Sequence, residues 1–174
     1  MDFFYPNRSN MMWEIMGLVF YGDSQRLVDA EHKTFRLEYI KALLNERGIA
    51  IYDTASAVRR LSGNASDKDL QIVEKTDIPA LLAQIPQCHN IVCTGQKSFS
   101  VLSENYGVLV PTMGTYNEFT LCSPPKLGGV PRRGEGVCKK LRLWRMPSSS
   151  RAYPMPLAEK AEYYRRMMKE IGLL

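Results

Sequence analysis

Leu141-Arg142-Leu143-Trp144-Arg145-Met146-Pro147-Ser148-Ser149-Ser150-Arg151-Ala152-Tyr153-Pro154 is the stretch on which the reading of this chain turns. Its first five residues form an apolar, strand-like run. A stretch at about 156–172 follows, with Leu157, Ala161, Tyr164, Met168 and Ile171 at the spacing of one helix face. Met146 to Pro154 therefore reads as a loop at the carboxyl end of a strand, the place where open α/β sheets bind ligands.

Outward from that loop, the chain alternates helical and strand patterns. Ser9 or Asn10 is placed to cap a first helix through Trp13, Ile15 and Met16. A second helix is expected over about 31–47, with Phe35, Tyr39 and Leu43 beside Leu37, Ile40 and Leu44, ending at Gly48. Gly48-Ile49-Ala50-Ile51-Tyr52 reads as a buried strand ending at Asp53. Asp77 caps a short helix from Ile78 to Ile85, Asn90 to Thr94 is a further strand, and another helix lies near Lys97 to Glu104. Between Tyr106 and Lys140, four prolines and six glycines predict short edge strands and an exposed loop around Lys126 to Gly136. The order predicts an α/β protein with a parallel sheet and right-handed crossovers.

Composition fits one domain, 1–174: 45% hydrophobic and 24% charged residues allow a full core. The net charge of +5 is unevenly spread. Residues 126–174 hold 12 Lys/Arg against 4 Asp/Glu, and residues 1–125 hold 11 against 14. A basic half flanking the serine loop suits a polyanion such as the DNA backbone, and equally a merely soluble basic surface. No run approaches the roughly 20 apolar residues of a membrane span. The start, Met1-Asp2-Phe3-Phe4-Tyr5-Pro6, lacks the layout of a signal peptide, so a cytoplasmic protein without membrane contact is expected. Cys88, Cys93, Cys122 and Cys138 include no C-x-x-C pair and accompany only His32 and His89, which argues against a zinc site and predicts free thiols.

Four segments, in order, resemble the uracil-DNA glycosylase superfamily, most closely its thymine/uracil mismatch-specific branch. Phe4-Tyr5-Pro6 through Asn10 to Trp13 is similar to the aromatic-Pro segment that lays a ring over the flipped base and starts a helix. Gly48 to Asp53 is similar to the strand whose last residue reads the pyrimidine edge, and Gly95-Gln96-Lys97 to the Gly-Lys turn after the next strand. Met146 to Arg151, with Tyr153-Pro154 and the helix carrying Glu159-Lys160 and Tyr163-Tyr164, resembles the second catalytic motif. The resemblance implies a three-layer αβα sandwich around a short central parallel sheet, and hydrolytic excision of a damaged or mismatched base from DNA. The family's first motif, a strand with a Gly-x-x-Pro-type loop, lies upstream of the aromatic-Pro segment, and this chain begins past that point. A missing central strand implies unpaired edges, and with them instability, homo-oligomerisation or a substitute segment. Some branches carry an iron–sulfur cluster; Cys122-x15-Cys138 is similar to part of that spacing, but the close N-terminal cysteine pair is missing, and no cofactor or metal is expected.

A base-excising enzyme must take its nucleotide out of the stack and read it in a pocket. The resemblance makes Tyr5 the stacking ring and Phe4 its second, with Asn10 and Asp53 also facing the base; the alternative is that both rings pack in the core. Pro147, Ser148, Ser149 and Ser150 would grip phosphates beside the target, Ser148 with a catalytic part, against plain turn chemistry as the alternative. Arg151 would fill the hole in the duplex or clamp a phosphate, or else form a surface ion pair. Lys97, Lys160, Arg165 and Arg166 could add phosphate contacts or be solvated helix charges. Asp53 stands where related enzymes often carry Asn. A carboxylate cannot donate to a carbonyl oxygen, so Asp53 implies either a protonated carboxyl or a base offering adjacent donors. Asp53 is also a candidate for orienting water, and its alternative is a strand-end cap of the turn through Thr54 to Ser56. Two other functions fit: a catalytically impaired DNA- or nucleotide-binding protein of the same fold, and an enzyme of free deoxynucleosides.

Overall fold

The computed structural model describes residues 2–60, 70–123 and 137–174. The protein is mixed α/β, with five helices and three small sheets among the described residues. The expected loop around Lys126 to Gly136 lies outside them.

Helix α1 (Met12–Tyr21) buries Met12, Trp13, Ile15, Met16 and Val19. Strands β1 (Val28–Asp29) and β2 (Thr34–Phe35) form a small antiparallel hairpin, and helix α2 (Leu37–Arg47) follows. The expected helix over 31–47 is thus shortened. The Asp29 carboxylate accepts the backbone N–H of His32 at 3.1 Å and meets its ring at 2.9 Å, and Lys33 adopts φ +51°, which closes a turn. Phe35 is buried from the hairpin, whereas Tyr39 is 50% exposed. Helix α2 ends as expected at Gly48, in the left-handed conformation.

Residues 48–52 correct a second expectation: they form no strand. Ile49 and Ile51 pack on the core while Ala50 and Tyr52 face out, the alternation of a strand without its ladder. The chain is pinned instead at its ends. Ile49 N–H bonds Leu44 O at 2.9 Å, and the Thr76 hydroxyl donates to Asp53 O at 2.7 Å. An antiparallel hairpin that the sequence reading missed follows, β3 (Ala55–Arg60) with β4 (Leu70–Lys75).

Helix α3 (Ile78–Gln84) is capped by Asp77, whose carboxylate accepts Ala80 N–H at 3.0 Å. Strand β5 (Asn90–Cys93), helix α4 (Gln96–Tyr106), β6 (Tyr116–Ser123), β7 (Val137–Arg145) and helix α5 (Leu157–Glu170) complete the order. The largest sheet runs β5-β7-β6. β5 and β7 are parallel, Ile91 opposite Leu143, whereas β6 and β7 are antiparallel, so the sheet is mixed and not wholly parallel. Among the described residues, nothing pairs with the outer edge of β5. One core cluster, around Trp13, Ile15, Ile40, Trp144, Tyr164 and Met167, joins α1, α2 and α5 to the end of β7. Smaller clusters around Phe99 and Leu143, and around Leu82 and Leu141, lie under α4 and α3.

The expectation of four free thiols is corrected by a disulfide between Cys122 and Cys138. The β6–β7 register sets these two directly opposite each other, a placement that sequence spacing could not show. Cys88 and Cys93 are free, and burial pushes the Cys93 thiol up to about 12, against the pull of a Ser98 hydrogen bond. Folding thus favours the neutral thiol. Its stabilising contribution is complete below the ordinary 9.0 and is lost as pH rises from there through about 12. Titration with a thiol reagent at neutral pH, without reductant, is expected to label Cys88 fast and Cys93 only on unfolding; four reacting thiols would refute the disulfide.

Candidate functional site

The carboxyl ends of β5 and β7 carry the segments singled out in the sequence. β7 runs into Met146, whose N–H bonds Cys93 O at 3.0 Å, and the loop beyond is held from three sides. From the N-terminal segment, Met11 N–H bonds Ser149 O at 2.7 Å, Asn10 and Ser150 form an antiparallel bridge, and Arg151 N–H bonds Ser9 O at 2.9 Å. From α5, the Tyr164 hydroxyl donates to Pro147 O at 3.0 Å and Lys160 Nζ to Ser150 O at 2.6 Å. Within the loop, Ser148 Oγ accepts Ser150 N–H at 3.2 Å, and Ser150 Oγ accepts Ala152 N–H at 3.3 Å. Pro147 and Ser149 are buried, while Ser148 and Ser150 are partly exposed.

From β5 comes the opposite wall. Gly95 lies against Ser148: a side-chain carbon added there would sit 3.6 Å from Ser148 Cβ. Its φ of +144° is open to glycine and rare for other residues, so the turn into α4 favours glycine, while the spacing to Ser148 is that of ordinary van der Waals contact. The Tyr5 hydroxyl bonds Thr94 Oγ1 at 2.9 Å, and its ring meets Trp13 edge-on at 6.2 Å. Tyr5 itself stands at φ +51°, a left-handed conformation that costs a bulky residue about 1–3 kcal/mol and persists only where surroundings enforce it. Burial raises the Tyr5 pKa, the Thr94 hydrogen bond lowers it, and the nearby Asp53 carboxylate raises it again. Tyr5, Thr94, Gly95 and Ser148 are thus neighbours, with Asp53 close enough to act on the phenol. Comparison with protein-family models, with curated proteins and with solved structures finds no match.

Other candidate residues fall differently. Phe4 packs edge-on against Phe3 at 5.5 Å and lines a hollow of about 400 Å³ with Lys41, Leu44, Ile49 and Ile51. Asn10 Oδ1 accepts Met12 N–H at 2.9 Å, which commits its carbonyl to starting α1. Asp53 is exposed, and its side chain caps no turn among the described residues. Lys97 is exposed in the first turn of α4, free to meet an anion.

Arg151 takes the ion-pair alternative. Its guanidinium is bonded to Glu14 Oε2 at 2.8 Å and to Arg8 O at 3.2 Å, spanning the N-terminal segment. Lys160 is not a solvated helix charge: it is fully buried beneath the loop, with its ammonium 5.4 Å from the Tyr153 ring centre. Burial, with the charge of Arg151, holds Lys160 below the usual lysine range. Arg165 and Arg166 both bind Glu162, and Arg165 also donates to Leu18 O at 2.9 Å. Sequence reading missed Glu14, Thr94 and the clamping role of Lys160. Lys160 and Tyr164 are four apart on α5 and carried the signal: a lysine on the face that otherwise holds Leu157, Ala161 and Met168 must be buried or snorkel.

Proposed function

We propose that this protein is a DNA glycosylase of the uracil-DNA glycosylase type, built on an αβα sandwich, that removes a damaged or mismatched base. The meeting of Tyr5, Thr94, Gly95 and Ser148 where β5 and β7 end carries this reading. Hydrolysis breaks the bond between C1′ and the base nitrogen, the base leaving with the electron pair. A water oxygen bonds C1′, and one of its protons passes to the base. Tyr5, anchored through its hydroxyl, offers a ring for stacking. Ser148 Oγ and the loop's backbone suit the phosphate beside the target, and Lys97 adds charge. Asp53 is the carboxylate near Tyr5 that could orient water or accept a base N–H.

One observation favours a second reading, a nucleic-acid-binding protein of this type without catalysis. Arg151, the residue expected to enter the duplex, is engaged with Glu14. Excision assays separate the two readings. Abasic-site formation is expected on single- or double-stranded oligonucleotides carrying uracil, hypoxanthine or a G·T mismatch. Binding of all of them without any strand break after alkali would leave only the second reading.

A further inference from the structure

We propose that the groove between the Pro6–Arg8 turn and the Val28–Phe35 hairpin, together with the tyrosine–arginine cluster at the base of that hairpin, binds single-stranded nucleic acid flanking the target nucleotide. The proposal rests on the reading of the neighbouring site as one that acts on nucleic acid. The groove is a shallow depression, widely open to solvent, lined by Pro6, Asn7, Arg8, Ala30 and Lys33. It adjoins the site through Arg8, whose carbonyl accepts the Arg151 guanidinium and which lies three residues from Tyr5.

Its cations are available. Among the described residues neither Arg8 nor Lys33 is ion-paired, and Arg26 and Arg36 are unpaired as well. Asp29 is engaged by His32, which leaves Glu31 as the hairpin's one carboxylate without a partner among the described residues. Arg26 and Arg36 instead lie over aromatic rings. The Arg26 guanidinium is 5.5 Å from the Tyr21 ring centre and 5.4 Å from that of Tyr39, and Arg36 is 5.9 Å from Tyr39. Tyr21 and Tyr39 are 45% and 50% exposed, although a solvent-facing cluster of large rings gains nothing from burial. Arg36 N–H bonds Leu27 O at 2.9 Å, which sets the cluster at the hairpin's base while Ala30 and Lys33 hold its tip in the groove. Three residues of strand put the two about 10 Å apart. Guanidinium-backed tyrosine faces stack on unpaired bases, and isolated cations neutralise phosphates. A duplex keeps its base faces hidden, so the combination fits a single strand.

The test is fluorescence anisotropy of the full chain with undamaged single- and double-stranded oligonucleotides, titrated with salt. Arg8→Gln with Lys33→Gln is expected to weaken single-strand binding about tenfold and to flatten the salt slope by about 1.4, two phosphate contacts at about 0.7 each. Arg8→Lys with Lys33→Arg should keep the slope. Tyr39→Leu should weaken single-strand binding at least about fivefold with the slope unchanged. Wild-type binding to the single strand that is indifferent to the Gln pair and to Tyr39→Leu overturns the proposal and leaves the site's reading standing. Tighter binding of the duplex, with the same losses, overturns the single-strand assignment. Wild-type protein that binds neither oligonucleotide overturns both the proposal and the reading beneath it.

Discussion

Trp13→Ala is expected to cost about 3–5 kcal/mol of folding stability, the range for truncating a large buried aromatic. Trp13 is fully buried and sits in the core cluster to which α1, α2, α5 and the end of β7 contribute. Its ring stacks on Phe3 at 6.0 Å and meets Tyr5 edge-on, and its Nε1–H donates to Phe4 O at 3.3 Å. Truncation therefore opens a cavity and releases the aromatic segment whose Tyr5 reaches Thr94. Urea denaturation should show the loss as a lower midpoint with little change in slope. Trp13→Phe should cost less, since it keeps most of the ring volume. A loss under about 1 kcal/mol for the alanine variant would contradict this packing role.

Lys160 is the second position where a single change should reach far. Lys160→Ala removes a fully buried stem and the cation that holds Ser150 O, at an expected cost of about 2–4 kcal/mol. Lys160→Met restores the volume and omits the charge. Its stability should return to within about 1 kcal/mol of wild type, because a buried ammonium without a carboxylate partner is itself costly. The loop should nevertheless loosen, since Ser150 O then keeps only the Tyr153 N–H at 3.2 Å. Hydrogen exchange at Arg151 and Ala152 reads that loosening apart from global stability. The pH dependence has a definite sign. The folded ammonium titrates below the ordinary 10.5, so the unfolded chain binds more protons between the two values, and this residue's contribution to stability rises with pH across that window. Lys160→Met should lack that rise. Equal alkaline profiles for the two proteins would count against a buried, charged Lys160.

The parts of the fold that were legible in the sequence are those set by local signals. Asp77 before an apolar run gave α3, Asn90 to Cys93 gave β5, and the periodicity after Pro156 gave α5. The errors arise where pairing or a turn overrides local pattern. Ile49 and Ile51 alternate as a strand does, yet no described neighbour completes a ladder beside them. Phe35 and Tyr39 fit a helix repeat, yet the Asp29–His32 turn removes residues 31–36 from it. At the site, the hydroxyl-rich loop, Tyr5 and the Gly95 turn were readable because their residue types are unusual in combination. The partners of Arg151 and Lys160 were not, because Glu14 lies 137 residues from Arg151 in the chain and Ser150 O is a backbone atom with no sequence signature. The same lysine and arginine that resemble phosphate ligands on paper are, in the fold, the clamps that hold the loop in place.

The proposal that Tyr5 and Ser148 together receive a flipped nucleotide is decided by single-turnover excision measured beside DNA affinity. Tyr5→Ala and Ser148→Ala should each slow base release roughly a hundredfold, the scale of losing one positioned group in a preorganised site. Both variants should remain folded and retain DNA binding within about tenfold. Base release at the wild-type rate in both, from protein that is folded and bound to DNA, would contradict it.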